Sequence, residues 1–129
     1  MKIDKLWNGL KRIANGDYVL EGDLISEETI EINLDDRFVV KGKIYTNKSI
    51  VVRCGIKAGC GIEAGDGIKA GWGIEAKKFI DVKKRIFAGI AIYRTSKDCD
   101  KTIRCAELRN GEICYGDLTL TKEAKPDEN

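Results

Sequence analysis

The chain has 129 residues, 43% hydrophobic and 34% charged, a balance that fits one domain with its own core. The net charge is only +2 and histidine is absent. Ser-His and Cys-His catalysis, His-ligated metals and imidazole proton shuttles are thereby excluded.

In chain order, the first predicted element is a helix. Ile3, Leu6, Trp7, Leu10, Ile13 and Ala14 follow helical spacing and Asn15-Gly16 is a stop signal, so residues 1–31 read as an N-terminal helix and cap. The opening residues carry no signal-peptide core, and no stretch reaches the roughly 18 apolar residues of a membrane span. The five cysteines, at 54, 60, 99, 105 and 114, form no C-x-x-C pair. Neither a disulfide framework nor a zinc ribbon is expected, and the expected compartment is reducing bacterial cytoplasm. No metal or cofactor site and no membrane contact are expected.

Residues 55–76 read GIKAGC, GIEAGD, GIKAGW, GIEA, a six-residue repeat. Its phase extends over 32–94: positions 32, 38, 44 and every sixth residue to 92 hold Ile, Phe and then nine Ile. Two residues on stand Leu34, Val40, Thr46, Val52, Ala58, Ala64, Ala70, Ala76, Val82 and Ala88, before Arg94 ends the series. Residues i and i+2 of a strand share a face, so both positions point inward, while Lys57, Glu63, Lys69 and Glu75 point out. The intervening G-x-G reads as a corner, with glycine supplying positive φ. The fold expected is mainly β, a parallel β-solenoid with three hexads per coil. Residues 18 apart then stack: the Ile columns are 32-50-68-86 and 44-62-80, Lys57 lies beside Glu75, and Asp66 lies between Lys48 and Lys84.

Beyond the solenoid, Arg109-Asn110-Gly111 between two strand-like runs predicts a C-terminal β-hairpin over 95–121. The polar tail 122–129 is expected to be disordered.

The repeat resembles the hexapeptide-repeat proteins, which are left-handed parallel β-helices with three hexads per coil. It departs from them in order, because the small residue follows the bulky one instead of preceding it. That family's acyl transfer uses a histidine base and another branch binds metal through histidines, so no position here inherits either role. The GIxAG repeats and the ending RNGEICYGDLTL also resemble small proteins of bacterial prophages and mobile elements. That resemblance implies an inhibitor of a bacterial defence complex, of the anti-CRISPR type.

Glu27-Glu28 and Asp35-Asp36 read as solvated acidic loops, and Gly65-x-Gly67 lacks the following helix that a phosphate loop needs. Charge is more informative. Residues 1–35 carry net −4, 36–94 net +8 and 95–129 net −2. The candidate partner-binding residues are Trp72, as an aromatic anchor, and the basic set Lys77, Lys78, Lys83, Lys84 and Arg85. The chain is expected to be non-catalytic and to bind a host protein or nucleoprotein complex. The alternatives are a nucleic-acid-binding module using the basic face, and a structural subunit whose solenoid ends stack. Monomer and dimer both remain open.

Overall fold

The computed structural model describes residues 2–4, 10–12, 16–89 and 101–121. The described residues form sixteen strands and no helix. They are β1 (Lys2–Ile3), β2 (Leu10–Arg12), β3 (Tyr18–Leu20), β4 (Leu24–Ser26), β5 (Ile30–Ile32), β6 (Phe38–Val40), β7 (Ile44–Thr46) and β8 (Ile50–Val52). There follow β9 (Ile56–Ala58), β10 (Gly61–Ala64), β11 (Ile68–Ala70), β12 (Ile74–Ala76), β13 (Phe79–Ala88), β14 (Thr102–Cys105), β15 (Glu107–Tyr115) and β16 (Asp117–Leu120).

These strands wind into a three-sided parallel β-solenoid of about five turns. Face one stacks β4, β7, β10, the first half of β13 and the first half of β15. Face two stacks β1, β5, β8, β11 and the second halves of β13 and β15. Face three runs β2, β3, β6, β9, β12, β14, β16. Every pairing is parallel except that of β2 with β3.

The alternation of the sequence fixes the core. Ile44, Ile62 and Ile80 form one fully buried column; Ile50, Ile68 and Ile86 form a second, and Phe38, Ile56 and Ile74 a third. Ala58, Ala64, Ala70, Ala76 and Ala88 fill the second inward position beside them. In the third turn Ile56, Ile62 and Ile68 each stand beside a buried alanine, and pairing a branched residue with a small one lets the three faces pack closely about the axis. Thr46 is the one buried polar residue of the described core, and its hydroxyl donates to the Glu28 carbonyl at 2.5 Å. The outward Lys57 Nζ lies 3.8 Å from Glu75 and Lys84 Nζ 3.0 Å from Asp66, the register expected from an 18-residue coil.

Coil length is not constant. Tyr18 stands beside Phe38, twenty residues on; Phe38 stands beside Ile56, eighteen on; and Thr102 stands beside Asp117, fifteen on. The first turn therefore begins well before residue 32, and its two extra residues sit in the corner 33–37. There Tyr18 donates to Asp35 at 2.7 Å and Arg37 pairs with Asp17 at 3.0 Å. One expected column changes as a result: Ile30, not Ile32, stacks on Ile50, and Ile32 stacks on Val52.

Three further expectations are corrected. A helix through the N-terminus does not form at Lys2–Ile3, which joins face two beside β5, or at Leu10–Arg12, which covers the edge of β3. An open sheet edge has unpaired N–H and C=O groups, and a strand satisfies them where a helix cannot. The helical positions at Leu6, Trp7, Ile13 and Ala14 lie outside the described residues, as do Ile92, Arg94 and the tail 122–129. The C-terminal hairpin is absent too, since β15 runs parallel to β13 and β16 parallel to β14. Ile103, Leu108, Ile113 and Leu118 recur every five residues, so each can extend a column of the core, and the solenoid continues on a shorter coil.

The third correction concerns glycine. Among the described residues positive φ occurs only at Gly16, Gly22, Gly89, Gly111 and Gly116, all outside the GIxAG repeat. Within the repeat, a Cβ at Gly59 would stand 2.1 Å from the Lys41 carbonyl oxygen, and one at Gly65 2.1 Å from that of Asn47. The corners need glycine because one turn presses backbone to backbone on the next.

Candidate functional site

The edge between faces one and two stacks one corner of every turn. Backbone bonds from Asp66 to the Lys48 carbonyl, and from Lys84 to that of Asp66, hold these residues in file at 3.0 Å each. Glu28 occupies the matching place in the first turn, where Ser26 stands beside Thr46. The file reads Glu28, Lys48, Asp66, Lys84, alternating in sign.

The fourth turn departs from the others at this edge. β13 runs ten residues through the corner without a break, and Lys83, Lys84 and Arg85 are all exposed. Its pairing with β15 is irregular between Asp81 and Arg85. Gly67 permits the approach, since a Cβ there would lie 2.9 Å from the Arg85 carbonyl oxygen. The result is a shelf overhanging a groove of about 740 Å3 on the outer side of face two.

The floor of the groove includes Val51, Lys69 and Phe87, which project outward from three successive strands in register. The Lys69 ammonium lies 5.9 Å from the centre of the Phe87 ring. Lys83, Lys84 and Arg85 form the shelf, with Asn110 and Glu112 beyond them. Two carboxylates of the lining temper the cations: Asp66 lies 3.0 Å from Lys84 and Glu112 lies 4.0 Å from Arg85. Lys83 reaches Asp81 at 4.0 Å, and Asp81 accepts a 3.0 Å hydrogen bond from Asn110. All three basic side chains remain more than 60% exposed, so these pairs are weak and open to exchange for a partner's acids. Four cations against two anions leave the groove positive, around an apolar floor.

The remaining sequence candidates stand elsewhere. Lys77 and Lys78 occupy the corner between faces three and one, and both are exposed. Trp72 occupies the corner between faces two and three, half-buried in a separate cleft of about 300 Å3 with Asp17, Asp36, Arg37, Glu75 and Arg104. The fold thus brings Lys83, Lys84 and Arg85 together and distributes Trp72 and the Lys77, Lys78 pair to the other two edges. Sequence reasoning missed Val51, Lys69 and Phe87 as a set. The signal was available, because they are 18 residues apart and outward in phase.

Cys54, Cys60, Cys105 and Cys114 are free thiols, and Cys99 lies outside the described residues. Burial raises the Cys105 thiol above its ordinary pKa, opposed in part by a backbone hydrogen bond at Glu107.

Fold and groove define a class: a rigid β-solenoid carrying a basic, apolar-floored surface groove. Comparisons with protein-family models, curated proteins and solved structures found no match.

Proposed function

We propose that the chain is a non-catalytic binding protein whose groove takes an acidic surface of a bacterial host protein or nucleoprotein complex, and inhibits that complex by occupying it. The observation behind this reading is the groove itself. Lys69, Lys83, Lys84 and Arg85 ring the exposed Val51 and the half-buried Phe87 on a strand-built base. Such a base needs little ordering on association, and cations around an apolar centre steer an acidic partner and then desolvate against it. Asp66 and Glu112 within the groove favour a partner that alternates acid with apolar or basic groups, as a protein surface does. The resemblance of the sequence to small prophage and mobile-element proteins supports an inhibitory role in the bacterial cytoplasm.

Nuclease-treated host lysate passed over the immobilised chain tests the proposal. A protein retained by the native chain and lost with Lys83→Glu/Lys84→Glu supports it. Equal retention by both removes the groove from the interaction.

Nucleic acid is the second reading, favoured by one observation: an aromatic face, Phe87, lies among four cations, the arrangement that stacks a base between phosphate contacts. On that reading a single-stranded oligonucleotide binds with an affinity falling steeply and linearly on a log–log plot against salt. The protein-binding reading expects weak oligonucleotide binding and a stable protein complex.

A further inference from the structure

The charge along the edge between faces one and two is antisymmetric. The first turn carries Glu27 and Glu28, the second Lys48, the third Asp66 and the fourth Lys83, Lys84 and Arg85. Glu27, Glu28, Lys48 and the three residues of the fourth turn are exposed. Reversed end for end, these four turns present the opposite sign to one another: the acids of the first turn face the shelf of the fourth, and Lys48 faces Asp66. A single chain cannot bring its own first and fourth turns together. At about 4.8 Å per strand they are roughly 14 Å apart, beyond the screening length of about 8 Å in physiological salt.

We infer that this edge, with the adjoining groove, is a self-complementary surface on which a second copy of the chain docks antiparallel. The two-fold axis lies along the strand direction, midway between the second and third turns. Glu27 and Glu28 of each copy enter the other's groove against Lys83, Lys84 and Arg85, and Lys48 of each meets Asp66 of the other. On the flat of face two the same operation sets the outward Val51 against Lys69 and Glu31 against Phe87, so no like charges meet. A two-fold interface is isologous and closes on itself, so the product is a dimer and not a filament. Four turns of one face make a small contact, below the roughly 800 Å2 per partner of a standard stable interface, so the dimer is weak and salt-sensitive. The inference goes beyond the proposed function: the groove that takes an acidic partner is shielded by a second copy when that partner is absent, and the two compete.

Sedimentation velocity tests this, with the chain at concentrations up to about 0.5 mM in about 50 mM salt, where screening is weak. The native chain is expected to approach twice its 14.3 kDa mass, reversibly, and to return to monomer at about 0.5 M salt. Glu27→Lys/Glu28→Lys and Lys83→Glu/Lys84→Glu are each expected to remain monomeric while melting as folded proteins. An equimolar mixture of these two variants restores the dimer, because one is basic and the other acidic at both ends of the edge. The chain carrying all four changes dimerises alone. A native chain that stays monomeric at every concentration overturns the inference, as does a dimer indifferent to the charge reversals. Either result leaves capture of a host protein by the groove standing, and loss of that capture leaves the dimer standing.

Discussion

A single methyl group tests the glycines of the repeat. Gly65→Ala sets a carbon 2.1 Å from the Asn47 carbonyl oxygen, in a backbone that both neighbouring turns hold in place. Urea unfolding is expected to show a loss of about 3 kcal/mol or more, at the upper end for overpacking. Gly22 has φ +87° but nothing within 4 Å of a Cβ, so Gly22→Ala costs only the backbone strain, about 1–2 kcal/mol. The reverse ranking contradicts the close-approach account. Sequence alone marked these glycines as corners and assigned the wrong cause, because the atom each one faces belongs to the next turn. The inward columns were legible from Phe38 to Ile86, though not in the first turn, where Ile30 and not Ile32 stacks on Ile50. Ile62→Asp or Ile68→Asp buries an unpaired carboxylate among aliphatic side chains, costing several kcal/mol and blocking folding. Lys57→Ala and Lys69→Ala change stability by under about 0.5 kcal/mol, and thermal melts distinguish the two sets. Thiol labelling is expected to modify the exposed Cys114 first, and the buried Cys54 and Cys105 only on unfolding. Because burial raises the Cys105 pKa, its thiol contributes stability below the ordinary thiol pKa, and that contribution is lost as pH rises through the folded value.

Among the elements, the inner turns and the ends hold their backbones differently. β7 to β12 have a strand on both sides, whereas β4 borders the described structure at one end and β15 and β16 at the other. Leu118 and Leu120 remain exposed at that second end although they continue the inward phase. Hydrogen exchange followed by mass spectrometry should therefore show the slowest amides in β8 to β11 and the fastest in β2, β4 and β16, since solenoids open from their ends. Protection in β16 equal to that in β9 contradicts this. The same end effects explain where the sequence misled. Strict hexads reveal the middle turns, but the first turn carries a two-residue longer corner and the last runs on five-residue spacing. A Gly-containing turn tripeptide at 109–111 is equally compatible with a hairpin and with a corner. Only pairing with β13 across 28 residues decides between them, and no local signal carries that information.

At the scale of the whole molecule, charge is sorted along the solenoid axis. The first turn is acidic, the second and fourth are basic, the third is balanced, and the last turn, 101–121, carries three cations and three anions. Sequence arithmetic exposed this sorting but not its division among three edges. Trp72, the Lys77, Lys78 pair and the Lys83, Lys84, Arg85 shelf are close in the chain yet stand on different corners, because six residues turn the chain by one face. Only the shelf adjoins a groove with an apolar floor, so binding should depend on it and not on Trp72. The most direct test is the association rate, by biolayer interferometry, of the captured host protein with the native chain, Lys83→Glu/Lys84→Glu and Trp72→Ala, across a salt series. The shelf reversal is expected to slow association at least about tenfold and to flatten its salt dependence, as loss of electrostatic steering does. Trp72→Ala is expected to bind within about twofold of the native chain, since only truncation of an interface anchor costs more. Unchanged kinetics after the shelf reversal, with binding lost in Trp72→Ala, would place the interface on the edge between faces two and three and contradict the account.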